Sequence, residues 1–219
     1  MSISPKSALL EEYALVARAL SAPARLMLLE QLAQGERGVE ALAEKTGLTV
    51  ANCSQHLQNL RRAALVTSRR DGKSVIYRLS DAKTLQLMDL LRIVAERNLA
   101  QVARILRGLS EGDDAPDPVS RDELAARIAE GSVTILDIRP ADEFAMGHIP
   151  GARNVALSEL DRIGSELNPG AEVVAYCRGP YCIYAHQAVA ALRRHGIQAR
   201  RLEGGLPEWR ADGRQVTAS

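Results

Sequence analysis

The sequence predicts two domains in series, a mostly α half followed by an α/β half, and three observations carry that expectation. The chain has 219 residues, long for one average domain and suited to one or two. The stretch Glu111-Gly112-Asp113-Asp114-Ala115-Pro116-Asp117-Pro118 is acidic, small and proline-bearing, with nothing large and apolar to anchor it, and reads as a solvated linker over 111–118. Apolar spacing is mostly helical before that stretch, whereas after it short β-branched runs (Val133 to Leu136, Val173 to Tyr176) alternate with helical segments. The expected domains are therefore 1–110 and 119–219.

A hydrophobic content of 46% argues against disorder, and no apolar run approaches the roughly 18 residues of a membrane span. The start, Met1 to Lys6 and then Glu11-Glu12, lacks the basic flank and apolar core of a secretory signal, so no membrane partner is expected and cytoplasm is the expected compartment. Three cysteines, Cys53, Cys177 and Cys182, are too few for a disulfide framework, which leaves cysteine chemistry to catalysis or sensing. The net charge of +1 conceals an asymmetry: residues 1–110 hold 16 Lys and Arg against 10 Asp and Glu, and residues 111–219 hold 12 against 17. A basic half and an acidic half point to different partners.

In the basic half, Leu9 to Leu20 reads as an amphipathic helix, and Ser21-Ala22-Pro23 caps the next, with proline tolerated in a first turn. That second helix carries Leu26, Leu29 and Leu32 and stops at Gly35. A short helix near Val39 to Lys45, the turn Gly47-Leu48-Thr49 and a longer helix from about Val50 to Arg62 make a helix-turn-helix, whose second helix enters the major groove of a double-stranded DNA operator. Spacings of four and three put Cys53, Leu57 and Leu60 on the core face. Ala51, Ser54, Gln55 and Gln58 then face outward, with Arg62 at the helix end, and form the expected DNA-reading set, since a glutamine can pair bidentately with adenine.

Beyond Leu65-Val66, two strand-like runs joined at Asp71-Gly72 read as a hairpin. Arg69, Arg70 and Lys73 cluster at its tip, within reach of phosphates or a minor groove. From Asp81 to about Leu109, Leu85, Met88, Leu91, Leu99 and Val102 recur at helical spacing, which predicts one long helix with an apolar stripe too long for a small domain to cover. A homodimer is the expected consequence, and it presents two recognition helices to a two-fold operator.

Residues 8–109 resemble the ArsR family of dimeric winged helix-turn-helix repressors at Leu20-Ser21-Ala22-Pro23-Ala24-Arg25-Leu26, Gly47-Leu48-Thr49, Ser54-Gln55-His56-Leu57, and Gly72-Lys73 through Tyr77-Arg78-Leu79. Many members of that family sense metals through a cysteine pair in the third helix or Asp/His ligands on the last. Here Arg37 to Leu42 has no cysteine and Asp81 to Leu109 has no histidine, so no metal site is expected. Cys53 stands where the family pattern has an apolar residue and reads as buried filler, a reactive thiol being the alternative.

In the acidic half, Val173-Val174-Ala175-Tyr176 reads as a buried strand, followed by Cys177-Arg178-Gly179-Pro180-Tyr181-Cys182 and a helix from Ile183 to His195. Strand, short loop and helix place Cys177 at the carboxyl edge of a parallel sheet and over a helix N-terminus, which makes an anion site. Loop N–H groups, the helix end and Arg178 favour thiolate over thiol. Such a thiolate is a nucleophile toward sulfane sulfur, and the same cradle suits the persulfide it would form.

Ile135-Leu136-Asp137-Ile138-Arg139, Glu143-Phe144, Gly147-His148-Ile149-Pro150-Gly151-Ala152, Asn154, the cysteine loop, and Leu202-Glu203-Gly204-Gly205-Leu206-Pro207-Glu208-Trp209 together resemble a single rhodanese domain over about 118–214. The resemblance implies a doubly wound parallel sheet flanked by helices, with Cys177 as the sulfur-carrying residue. Asp137 and Arg139 read as an ion-paired framework, His148 as a loop anchor and Trp209 as core. Pro180 removes an N–H from the cradle, and Cys182 stands where the family often has Ser, Thr or Arg. Two readings of Cys182 stay open: it packs under the loop, or it attacks a Cys177 persulfide to give a disulfide or polysulfide link, depending on a Cα separation. Tyr181 and Arg178 would line the mouth.

The expected function is a DNA-binding transcriptional regulator, a repressor, whose rhodanese half senses or carries a small sulfur species on Cys177 without a further cofactor. The alternatives are a thiosulfate-type sulfurtransferase with a helical dimerisation or DNA-localising half, and an arsenic- or oxyanion-responsive regulator.

Overall fold

The computed structural model describes residues 4–109, 118–167, 170–179 and 182–218, so 111–117 of the expected linker and the loop residues Pro180 and Tyr181 lie outside the described residues. The chain divides into two compact units, Met1–Leu87 and Met88–Ser219.

The first unit runs α1 (Pro5–Leu20), α2 (Pro23–Gln34), β1 (Arg37–Gly38), α3 (Val39–Thr46), α4 (Val50–Arg62), β2 (Val66–Asp71) and β3 (Ser74–Leu79), then enters α5 (Ala82–Asn98). Ser4 caps α1, its side chain accepting from the Ser7 N–H at 3.2 Å. Pro23 opens α2 as expected, but the cap differs: Ala22 holds the N-cap position without a side-chain bond, while Ser21 Oγ donates 2.8 Å to the Arg18 carbonyl and closes α1 instead. Arg25 then spans the corner, its guanidinium donating to the Ala19 and Arg18 carbonyls at 2.5 and 2.7 Å. Leu28, Leu29, Leu32, Leu42, Leu57, Leu60 and Val66 are buried in this unit.

The three-stranded sheet has the order β1-β3-β2, all antiparallel. Strand β1 is two residues long and carries no periodicity from which it could be read. Asp71 pairs with Ser74, so the two turn residues of the wing are Gly72 and Lys73 rather than Asp71 and Gly72. Gly72, at φ +59°, takes the first turn position, where a left-handed backbone favours glycine.

The expected single long helix is two: α5 ends at Asn98 and α6 (Ala100–Leu109) follows after Leu99. At the break the Asn98 side-chain amide donates 2.8 Å to the Val94 carbonyl, competing for an acceptor of the helical ladder.

The rest of the second unit runs α7 (Arg121–Glu130), β4 (Thr134–Asp137), α8 (Ala141–Ala145), β5 (Arg153–Asn154), α9 (Leu160–Glu166), β6 (Glu172–Tyr176), α10 (Ile183–Arg194), β7 (Gln198–Arg201) and α11 (Leu206–Ala211). Its four strands are all parallel in the order β5-β4-β6-β7. Alternation along the strands sends Leu136, Val173 and Ala175 to one face with Leu160, Ile163, Ala188 and Leu192, and sends Ile135, Val174 and Tyr176 to the other with Leu124, Leu206 and Trp209. Both faces of the sheet are covered by helices, which is the doubly wound architecture and explains why β4 and β6 read as unbroken apolar runs.

Candidate functional site

Cys177 directly follows the last residue of β6, at the carboxyl edge of the sheet, and is fully buried. Cys182 takes the N-cap position of α10 and donates its N–H to the Gly179 carbonyl at 3.1 Å. The two cysteines are joined as a disulfide, with Cα atoms 6.0 Å apart, within the span that a bridge requires. That separation is the one the second reading of Cys182, attack on Cys177, requires.

Cys177, Arg178 and Gly179 rest on the turn before α11. Gly205 lies so close that a Cβ there would sit 2.5 Å from the Cys177 carbonyl oxygen and 2.6 Å from the Gly179 nitrogen. The Leu206 N–H reaches the Cys177 carbonyl at 3.4 Å, and Glu208 accepts from the Gly205 N–H at 2.7 Å, so α11's first turn is fastened to itself and to the loop. Burial pushes the Glu208 carboxyl above the usual carboxylate range. Sequence reasoning missed this support; a Glu three residues after an N-cap position was the available signal.

Arg178, expected to lend its charge to the thiolate, is held by Glu143. Its Nε lies 2.9 Å and its Nη2 2.7 Å from the Glu143 carboxylate oxygens, and the Glu143 side chain is fully buried at the start of α8. That pairing, above all other causes, raises the Arg178 pKa further. The partner is 35 residues away and left no trace in spacing.

Asp137 and Arg139 form a fully buried ion pair, with Nη2 at 2.6 Å from Oδ2, and Arg139 also donates 2.7 Å to the Gly147 carbonyl. Asn154 closes the frame by donating to the Asp137 and Arg139 carbonyls at 3.0 and 2.8 Å. The Tyr176 hydroxyl accepts from the Ile149 N–H at 3.0 Å, and burial pushes its phenol pKa up. His148 stacks on Phe144 at 3.8 Å with its Nδ1 3.1 Å from the Phe144 carbonyl. Trp209 is buried and donates 2.8 Å to the Gln215 carbonyl. These groups brace the carboxyl ends of β4 and β6 and present no base to Cys177 among the contacts described.

In the first unit, Gly47 at φ +68° ends α3, and Thr49 caps α4 by accepting from the Asn52 N–H at 3.3 Å. Ala51, Gln55, Gln58 and Arg62 are exposed and Ser54 is partly so, all on α4. Cys53 is fully buried, its Sγ 3.7 Å from the Val39 carbonyl, and burial pushes its thiol pKa up. It sits as a core residue whose surroundings favour the thiol over the thiolate. At the wing, Arg70 and Lys73 are exposed, whereas Arg69 is bound to Glu36 at 2.5 Å and to Asp71 at 3.0 Å. Arg61, passed over in the sequence, ties α4 to the wing through Ser68 Oγ at 3.3 Å.

Among the described residues no group of three or more His, Cys, Asp or Glu is arranged to hold a metal. No helix there is long and apolar enough to cross a membrane.

A winged helix-turn-helix and a doubly wound sheet with a cysteine at its carboxyl edge, carried on one chain, define a DNA-binding regulator with a rhodanese half. Comparison with known proteins agrees. The Helix-turn-helix domain family matches residues 20–69 and the Rhodanese-like domain family matches residues 120–212. The chain is similar to the HTH-type transcriptional regulator Rv0324 of Mycobacterium tuberculosis (strain ATCC 25618 / H37Rv), with 42% identity over 212 residues, 96% of this chain and 92% of that protein. It belongs to the family of HTH-type transcriptional regulators that join an ArsR-type winged helix-turn-helix to a C-terminal rhodanese-like domain. Among solved structures it is similar to the homodimeric winged helix-turn-helix fragment of Mb0332 from Mycobacterium bovis, at 39% identity over 46% of this chain and 94% of that one, TM-score 0.42. It is also similar to the rhodanese-like domain of Alr3790 from Anabaena, at 30% identity over 48% of this chain and 80% of that one, TM-score 0.43.

Proposed function

We propose that this regulator is a cytoplasmic homodimeric repressor whose DNA affinity is set by sulfur chemistry at Cys177. The observation that carries the reading is the Cys177–Cys182 pairing on a chain that also holds a DNA reader. A cysteine built for repeated turnover gains little from a partner that can close on it, whereas a sensor needs a second stable state.

In the first step the Cys177 thiolate attacks the outer sulfur of a persulfide RS–SH. The Cys177 Sγ–S bond forms, the RS–S bond breaks and the electron pair leaves on RS⁻. In the second, the Cys182 thiolate attacks Cys177 Sγ and displaces HS⁻, which leaves the disulfide. A cellular dithiol reduces that disulfide and resets the site.

On the DNA side, α4 offers Ala51, Ser54, Gln55, Gln58 and Arg62 to base edges and backbone, and Arg70 and Lys73 of the wing supply phosphate contacts, with Arg69 held back by its two carboxylates. Leu90 and Val94 on α5 are 59% and 57% exposed, an apolar face that dimerisation would cover, and in the first unit Leu9, Leu10 and Tyr13 on α1 are exposed as well. Coupling of about 1–3 kcal/mol between the two halves suffices for a change in DNA affinity of about 5- to 150-fold.

The test is operator binding of the reduced protein before and after exposure to an alkyl persulfide. A response in the wild type that is abolished in Cys177→Ser supports the reading. Sustained turnover of sulfur to a thiol acceptor, with no change in DNA binding, supports a sulfurtransferase instead.

A further inference from the structure

We propose that Glu143 is a positioning residue that makes the Cys177 loop accept sulfur from low-charge persulfides and discriminate against dianionic donors such as thiosulfate. The inference rests on the sulfur-loading reading above and names its substrate class.

The loop 177–182 contains a single cationic residue, Arg178. Its guanidinium is committed to Glu143 through Nε and Nη2, and Glu143 is buried to zero exposure while Arg178 keeps 28%. Turning Arg178 toward an incoming anion would take its guanidinium away from a buried carboxylate, which is unfavourable. The next arginine along the sheet edge, Arg139, is bound to Asp137 with neither side chain exposed. A second carboxylate, Glu208, lies beneath the loop, its Oε1 3.9 Å from where a Cβ on Gly179 would stand. Among the described residues, with both arginines held by buried carboxylates, the positive charge near the cysteine pair is that of the start of the 12-residue helix α10, whose N-cap is Cys182, worth about half an elementary charge. That is matched to a thiolate or a persulfide monoanion and leaves a second negative charge uncompensated.

Both donors give balanced transfers. With thiosulfate, Cys177 Sγ bonds to the outer sulfur, the S–S bond breaks and the pair leaves on sulfite. With an alkyl persulfide the outer sulfur moves in the same way and the pair leaves on the alkyl thiolate.

The experiment uses reduced full-length protein carrying Cys182→Ser, so that sulfur accumulates on Cys177. It follows the gain of one sulfur atom by intact mass without oxygen, with either thiosulfate or N-acetylcysteamine persulfide. Each rate is divided by that of a free cysteine peptide under the same conditions. The normalised rate should favour the persulfide by at least about tenfold, and Glu143→Gln should lower that preference, read as the ratio of the two normalised rates, about tenfold. An unchanged ratio in folded Glu143→Gln overturns the proposal. So does a protein with Glu143 intact that takes thiosulfate as readily as persulfide, a result that stands even if the variant fails to fold. Uptake from neither donor overturns the sulfur-loading reading itself.

Discussion

Gly205 lies directly against Cys177: a Cβ at position 205 would stand 2.5 Å from the Cys177 carbonyl oxygen, closer than real Cβ contacts allow. The backbone of Gly205 is extended, at φ −149°, a conformation open to any residue, so the requirement for glycine is steric rather than conformational. Gly205→Ala must therefore push the cysteine loop. The expected outcome is a loss of about 1–3 kcal/mol in urea unfolding, together with slower sulfur uptake by Cys177. Wild-type values for both would show that the contact relaxes without consequence.

The buried Asp137–Arg139 pair is a stability element. Asp137→Ala leaves the Arg139 charge buried without its carboxylate, and a cost of about 3–5 kcal/mol is expected. Chemical denaturation checks it, and a cost below about 1 kcal/mol would mean that Arg139 finds water in the variant.

Glu208 sets a pH dependence whose sign follows from its raised pKa. Its native pKa lies above its unfolded value, so the folded state holds the proton more tightly. The stability this contributes is complete below about pH 4.3, the ordinary carboxylate value, and is lost as pH rises through the folded pKa. Glu208→Gln keeps an oxygen for the Gly205 N–H and removes the desolvated charge. The variant should be more stable than wild type at neutral pH, with the gain vanishing in acid. Urea midpoints across pH for both proteins test this, and parallel curves would contradict it.

DNA contacts separate by their salt dependence. Lys73→Ala is expected to weaken binding evenly across sequences and to reduce the salt slope by about 1, whereas Gln55→Ala should cost about 1–3 kcal/mol on the operator and relax base preference with little change in slope. Fluorescence anisotropy at several salt concentrations distinguishes them. A Gln55→Ala variant that loses affinity equally on all DNA would remove this residue from base reading.

Local features were legible in the sequence, while long-range pairings were not. The spacing of Cys53, Leu57 and Leu60 correctly gave the buried face of α4, because a helix period is a local property. The strand–loop–helix around Cys177 was readable for the same reason. The break at Leu99 is not legible because the apolar stripe continues through it, and the Asn98 side-chain bond to the Val94 carbonyl leaves no mark on that pattern. The bridge to Cys182 depends on the distance between the two cysteine Cα atoms, and the Glu143 clamp and the Gly205 contact join segments 35 and 28 positions apart from their partners Arg178 and Cys177. No periodicity encodes such meetings; the fold makes them.

The most direct test of the central claim is a single-sample measurement of sulfur load and DNA affinity. Reduced full-length protein is treated with an alkyl persulfide, the state of Cys177 and Cys182 is read by mass spectrometry, and operator binding is measured on the same material. The account predicts that conversion of the cysteine pair and an affinity change of about 5- to 150-fold rise together, and that Cys177→Ser shows neither. Full conversion of the pair with unchanged operator affinity, or an affinity response that survives in Cys177→Ser, would contradict it.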